Sequence, residues 1–170
     1  MDKIKLDLSQ VENNDNYETI VLELEQIASD QVQRVFVLLT DGEKKTMYEI
    51  NNYEASMLTF AFKELHKNSH IQTIYQIFIK YLELQGVSID KIVIESRVGD
   101  VVYATLTLVD KNYNRTFTVC SFADALIFSL MTKRPLQIIA KVWDEMDAFE
   151  DDWDYEYYTM DYDEDEDEDD

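Results

Sequence analysis

The hydrophobic pattern of this chain changes period in blocks, and this feature constrains its fold more than any other. Alternating apolar and polar residues are typical of half-buried strands, whereas apolar residues three or four positions apart indicate helices. The blocks run as strands, two helices, strands, one helix and a strand. This grouping predicts an α+β domain with mixed or antiparallel sheets rather than a doubly wound parallel sheet. The strand-like runs are 4–8, 19–24, 34–40, 46–50, 91–97, 101–109, 116–120 and 136–140.

Three helices are predicted to pack against these strands. The first follows Asn51 and Asn52, which are good N-cap residues, and the second ends before Gly86, the residue type that favours a left-handed C-cap. The third covers 122–132 and is apolar on nearly every side. A helix of that kind is normally buried between layers or at a subunit interface, so a homo-oligomer is expected.

Acidic residues are concentrated at one end of the chain. Of the 36 Asp and Glu residues, 17 lie from Asp144 onward, where there is no Lys or Arg. The remainder carries 19 acidic residues against 15 basic ones and is nearly neutral. We therefore predict one domain over 1–145 and a disordered acidic and aromatic tail over 146–170, which self-repulsion keeps extended. The tail either improves solubility, docks a basic partner, or covers a basic patch of its own domain.

Composition also restricts location and partners. A single cysteine, Cys120, excludes an internal disulfide, and no apolar run is long enough to be a secretory signal or to cross a bilayer. We expect a cytoplasmic protein with no membrane partner. Lys and Arg are dispersed, with no basic stripe, which argues against tight binding of nucleic acid.

Few residues suggest chemistry. His66 and His70 are interpreted as solvated residues and Cys120 as a buried structural thiol, and none of the common nucleotide-binding or hydrolase motifs is present. Glu54 and Asp124 each lie at the start of a predicted helix with apolar neighbours. They are suited either to capping the helix or, with Mg²⁺ or Mn²⁺, to hydrolysing a phosphodiester.

Several segments resemble one known family. They are Tyr48 to Ala55, with its Glu-Ala pair; Leu84 to Val87; Lys91 to Ile94; Val102 to Leu106, with its Tyr-Ala step; and Ala123 to Leu136, with Asp124, a long apolar helix and an Arg-Pro-Leu ending. In this order, over about two-thirds of the chain, they resemble the bacterial bifunctional nuclease domain. The chain departs from the family where Ser121 to Ala125 replaces a usual Arg-Pro-Ser-Asp-Ala run, and where Ile71 to Gln76 replaces a polar stretch.

The resemblance implies a small α+β hydrolase with both DNase and RNase activity. Of the residues suspected of chemistry in that family, Glu54 and Asp124 remain, and they would orient a metal ion (Mg²⁺ or Mn²⁺) or a water molecule. No cofactor beyond such a metal is implied. The alternative is a non-catalytic relative that acts as an interaction or regulatory module and binds a basic protein partner through its tail.

Overall fold

The computed structural model describes residues 17–30, 32–63, 72–99 and 101–148, together with the backbone of 158–159. The predicted strand over 4–8 lies outside these residues, as do His66, His70 and most of the acidic tail.

The described strands form one mixed sheet. Seven of them follow the order β3-β2-β1-β7-β4-β5-β6, and β8 pairs with β1. The neighbours are antiparallel except β4 and β7, which are parallel. The strands are β1 Thr19–Ser29, β2 Val35–Thr40, β3 Lys45–Ile50, β4 Ser88–Val98, β5 Val101–Val109, β6 Arg115–Ser121, β7 Leu136–Ile139 and β8 Tyr158–Thr159.

Within the described residues, four helices accompany the sheet, and the predicted α+β class is confirmed. They are α1 Asn52–Phe62, α2 Ile74–Gln85, α3 Phe122–Thr132 and α4 Ala140–Asp144. Helix α3 packs on β4 and β5, and both α1 and α2 contact α3. No described helix combines the length and hydropathy that a bilayer span requires.

Local sequence signals determine where the helices begin and end. Helix α1 starts with a capping box, in which Asn51 and Glu54 each accept a backbone hydrogen bond from the other at 2.9 Å. Thr73 and Gln76 form the same reciprocal arrangement at the start of α2. That helix ends at Gly86, whose φ of 69° is the left-handed conformation predicted for it.

Two expectations about the elements are corrected, and the first of two alternatives for α3 is confirmed. Strand β1 continues from the predicted end at 24 to Ser29, because a bulge between Leu24 and Gln26 breaks the period-two pattern without ending the strand. Ala140 begins a fourth helix instead of ending a strand. The apolar surround of α3 is buried between the sheet and two helices, so it does not require a subunit interface. Homo-oligomerisation therefore stays a prediction, and the apolar character of α3 no longer supports it.

The folded domain also extends past the predicted boundary at residue 145. Met146 is only 6% exposed and belongs to the core. Just before it, the buried Trp143 donates its indole N–H to Asp41 at 2.7 Å, and the Lys44 ammonium donates to the Trp143 carbonyl at 2.6 Å. The Lys44 ammonium also donates to the Met146 carbonyl. These bonds attach the end of α4 to the β2–β3 turn, and we call this set of contacts the Trp143 clasp.

Candidate functional site

The first turns of α2 and α3 meet at one corner of the domain and bring a carboxylate to a buried phenol. Tyr75 donates its hydroxyl to Asp124 Oδ1 at 2.7 Å. Ser121, the N-cap of α3, donates its hydroxyl to Asp124 Oδ2 at 2.8 Å and accepts the Asp124 backbone N–H at 3.1 Å. Both carboxylate oxygens of Asp124 are therefore held by hydroxyl donors, which fixes the orientation of the group.

The Ser121–Asp124 contact differs from a full capping box. In a full box the third residue reaches back to the backbone N–H of the N-cap, as Glu54 does in α1. Asp124 is one methylene shorter than Glu and bonds the Ser121 hydroxyl instead. The predicted cap at this helix is present, but the carboxylate is turned toward Tyr75.

Burial and negative charge keep the Tyr75 phenol protonated. The side chain is 8% exposed. Burial raises the pKa of Tyr75 far above its ordinary value of 10, and the hydrogen bond to Asp124 and the charge of that carboxylate raise it further. Smaller contributions in the same direction come from Tyr53 and Glu54. The phenol is thus a permanent donor to Asp124.

Glu54 and Asp124, the two carboxylates singled out from the sequence, consequently act on one group. They are far apart in the chain, yet both raise the pKa of Tyr75. Glu54 also keeps its capping role, because its side chain accepts the Asn51 N–H. Among the described hydrogen bonds, Asp124 accepts the Tyr75 hydroxyl and none joins Glu54 to Asp124.

An apolar groove of about 490 Å³ opens beside Asp124. Helix α2 forms one wall, and β6 and α3 form the other. Asp124 is the acidic residue in the lining, and the remaining side chains are mostly aromatic or aliphatic. The lining consists of Ile74, Tyr75, Ile77, Phe78, Tyr81, Leu106, Thr118, Cys120, Asp124 and Phe128. A ligand with an apolar face and one polar group would match this surface.

Cys120 lines the same groove but is not a reactive thiol. Burial, followed by the charge of Asp124, raises the pKa of Cys120 to about 12. The thiolate is the nucleophilic and metal-binding form, and it is scarce at neutral pH when the pKa is this high. This agrees with the interpretation of Cys120 as a structural residue.

The described residues do not form a metal centre. No group of three or more His, Cys, Asp or Glu side chains among them is placed to hold a metal ion. Asp124 already accepts two hydroxyl hydrogen bonds, and Glu54 is engaged at its helix cap. This part of the chain offers two carboxylates but no preformed cage for Mg²⁺ or Mn²⁺.

No protein-family model matches this chain, and no curated protein matches it.

Tyr75 is the site residue that the sequence did not reveal. In the sequence it belongs to the apolar stripe of α2, and its partner Asp124 lies 49 positions away. The available signal is chemical, since a tyrosine on a buried helix face usually finds a hydrogen-bond partner for its hydroxyl. Which partner it finds depends on how α2 packs against α3.

The raised pKa values of Cys120 and Tyr75 predict loss of stability at alkaline pH. The unfolded chain loses the thiol and phenol protons at their ordinary pKa values, near 9 and 10, whereas the folded protein retains both. Stability is thus fully present below pH 9 and decreases as the pH rises above it, because the unfolded state then binds fewer protons than the folded state. In urea unfolding at pH 8–11, Cys120→Ala should delay the onset of the decrease by about one pH unit. An unchanged onset would show that the thiol does not contribute.

Proposed function

We propose that the chain is a divergent member of the bifunctional nuclease family and hydrolyses phosphodiester bonds of DNA or RNA at Asp124. The observation that supports this is the geometry of Asp124, whose two carboxylate oxygens accept hydroxyl hydrogen bonds from Tyr75 and Ser121 beside the apolar groove. Asp124 and Glu54 were singled out by their positions at helix starts, and the family resemblance retains both. The α+β fold agrees with what the resemblance implies.

Asp124 is the residue to which we assign the chemical role. Tyr75 and Ser121 each donate one hydrogen bond to it, and each carboxylate oxygen keeps a lone pair that can accept a proton from water. A carboxylate positioned in this way can act as a general base. Tyr75 and Ser121 are then positioning residues, and Glu54 adds negative charge beside the site.

Charge is the main difficulty for this chemistry. A phosphodiester is an anion, and two carboxylates would repel it. Magnesium is commonly held by one or two carboxylates together with water and substrate phosphates, so a divalent cation would arrive with the substrate and not occupy a preformed cage. Neutralisation of the phosphate is the chemistry that such an ion would supply.

The test is cleavage of end-labelled single-stranded DNA and RNA in the presence of Mg²⁺ or Mn²⁺. Wild-type protein should cleave, and Asp124→Asn should lower the rate by about a hundredfold or more, the scale of a lost general base. Asp90→Asn, at a half-buried position in β4, is the matched control and should cleave like the wild type. A wild-type protein that is inert with both substrates and both metals would refute the proposal.

The second candidate is a non-catalytic module that binds a basic partner through its tail. Two observations favour it: the described residues contain no metal-binding cluster, and the tail carries a run of eight consecutive acidic residues from Asp163 to Asp170. This function predicts that replacing the acids of 163–170 with Asn and Gln abolishes binding to a polylysine peptide. Retained binding at physiological ionic strength would contradict it.

A further inference from the structure

The edge of β1 that faces away from β2 is only partly covered. Ala28 and Ser29 pair with β2 and also with β8, so β2 and β8 occupy opposite edges of β1. Strand β7 lies across β1 from β2 in the sheet and pairs with Thr19 to Leu22. Between β7 and β8, residues 23–27 have no strand partner on this edge among the described pairings. Their backbone groups can accept a further strand.

A groove with a basic rim begins where this edge meets β7. It has a volume of about 590 Å³ and lies at the C-terminal ends of α1 and α3. Phe62 is 46% exposed there, and Leu24 and Leu130 are half-buried. Lys133 and Arg134, both exposed, line the same groove just after α3, and the exposed Glu23 of β1 is the one acid in the lining.

The pairing of β8 with β1 sets a direction that leads toward this groove. Strand β8 is antiparallel to β1, with Tyr158 opposite Ser29 and Thr159 opposite Ala28. Each following tail residue therefore moves one position back along β1, and continuation of the same register sets Asp163 opposite Leu24. Leu24 lines the groove, so the acidic run that starts at Asp163 would begin at its basic rim.

We propose that residues 160–170 of this chain occupy the groove, with 160–162 continuing β8 along the free edge of β1 and the acidic run contacting Lys133 and Arg134. The register of β8 determines the direction in which residues 160–170 extend along β1. The opposite charge of Lys133 and Arg134 favours the acidic run as the occupant of the groove. Eight acids face two cations within a single chain, where the tether raises the effective concentration of the tail. This contact does not depend on the hydrolase proposal.

In this contact, Lys133 and Arg134 compete with any basic partner for the acidic run of the tail. A basic partner of the acidic run must displace Lys133 and Arg134, and salt weakens the contact because both partners are close to solvent. An apolar peptide without charge would match Phe62 and Leu130 but would gain nothing from the rim. The groove is therefore assigned to the chain's own tail.

Zero-length carbodiimide cross-linking of the full-length protein tests this directly. The reagent joins a lysine amine to a carboxylate only when the two are in contact, and mass spectrometry of the digest identifies the pair. We expect tail links at Lys133 to exceed those at Lys80, an exposed lysine on α2, by about threefold, and to decrease by a similar factor in 0.5 M salt. An equal mixture of ¹⁴N and ¹⁵N protein distinguishes links within a chain from links between chains.

Amide hydrogen exchange tests whether residues 160–162 pair with β1. Replacing the acids of 163–170 with Asn and Gln should increase amide hydrogen exchange at residues 23–27 by about tenfold while leaving β5 protected, because strand pairing slows exchange. Equal linking of Lys133 and Lys80, links formed only between chains, or unchanged exchange at residues 23–27 would each overturn the proposal.

Discussion

Replacing Trp143 with alanine is expected to lower the free energy of unfolding by about 3–5 kcal/mol, the usual range for removing a large aromatic side chain from a core. The ring is 2% exposed, and its indole N–H donates to Asp41. Alanine would leave a cavity and would also remove the donor from that carboxylate. Urea unfolding monitored by circular dichroism measures the change.

Two further variants separate packing from hydrogen bonding in the Trp143 clasp. Trp143→Phe keeps much of the apolar surface and loses the indole donor, so it should cost about 1–2 kcal/mol. Lys44→Met removes the ammonium that bonds the carbonyls of Trp143 and Met146 and should cost about 1–3 kcal/mol. A loss below about 1 kcal/mol for Trp143→Ala would show that α4 is not part of the cooperative core.

Asp124→Ala is expected to cost about 2–4 kcal/mol of stability, the second-largest effect. The change leaves the buried Tyr75 hydroxyl without its acceptor, which costs about 1–3 kcal/mol, and removes a negative charge from the first turn of α3, worth up to about 1 kcal/mol. The same urea unfolding measurement applies.

A double-mutant cycle with Tyr75→Phe tests whether the loss comes from this bond. Phenylalanine has no hydroxyl to leave unsatisfied, so the double variant should lose about 1–2 kcal/mol less than the sum of the two single variants. Strict additivity would mean that the Tyr75–Asp124 hydrogen bond contributes little. The cycle is measured by urea unfolding, so it is independent of any enzymatic activity.

Patterns confined to a few neighbouring residues predicted much of the fold. The α1 cap at Asn51 and the C-cap at Gly86 were identified from short-range signals, and both are present. The β2–β3 hairpin turns at Asp41 and Gly42, a residue pair typical of hairpins, and Gly42 has a φ of 96°. Such features depend on backbone conformation and on contacts between nearby residues, which a sequence displays directly.

Features that depend on distant residues were not predictable in the same way. The parallel pairing of β4 with β7 and the packing of Trp143 on the β2–β3 turn join segments many positions apart. Strand β1 was predicted too short because its bulge at Leu24 to Gln26 interrupts the alternation on which the prediction rests. Tertiary contacts determine these outcomes, and local propensity does not encode them.

The same distinction between local and distant contacts applies to the candidate site. Glu54 and Asp124 were found because each begins a helix beside apolar residues. Tyr75 was assigned to the core, and its hydrogen bond to Asp124 appears only once α2 and α3 are packed. Sequence reasoning therefore proposed the two carboxylates but not the phenol that bonds Asp124.

Whether Glu54 and Asp124 form one site is measured most directly by the cleavage rates of wild-type protein, Glu54→Gln, Asp124→Asn and the double variant on one single-stranded substrate. Residues that act as a unit are strongly non-additive. We predict that the double variant is no slower than Asp124→Asn alone. Losses that multiply would show that the two carboxylates work independently, and a wild-type protein without cleavage would contradict the proposed activity itself.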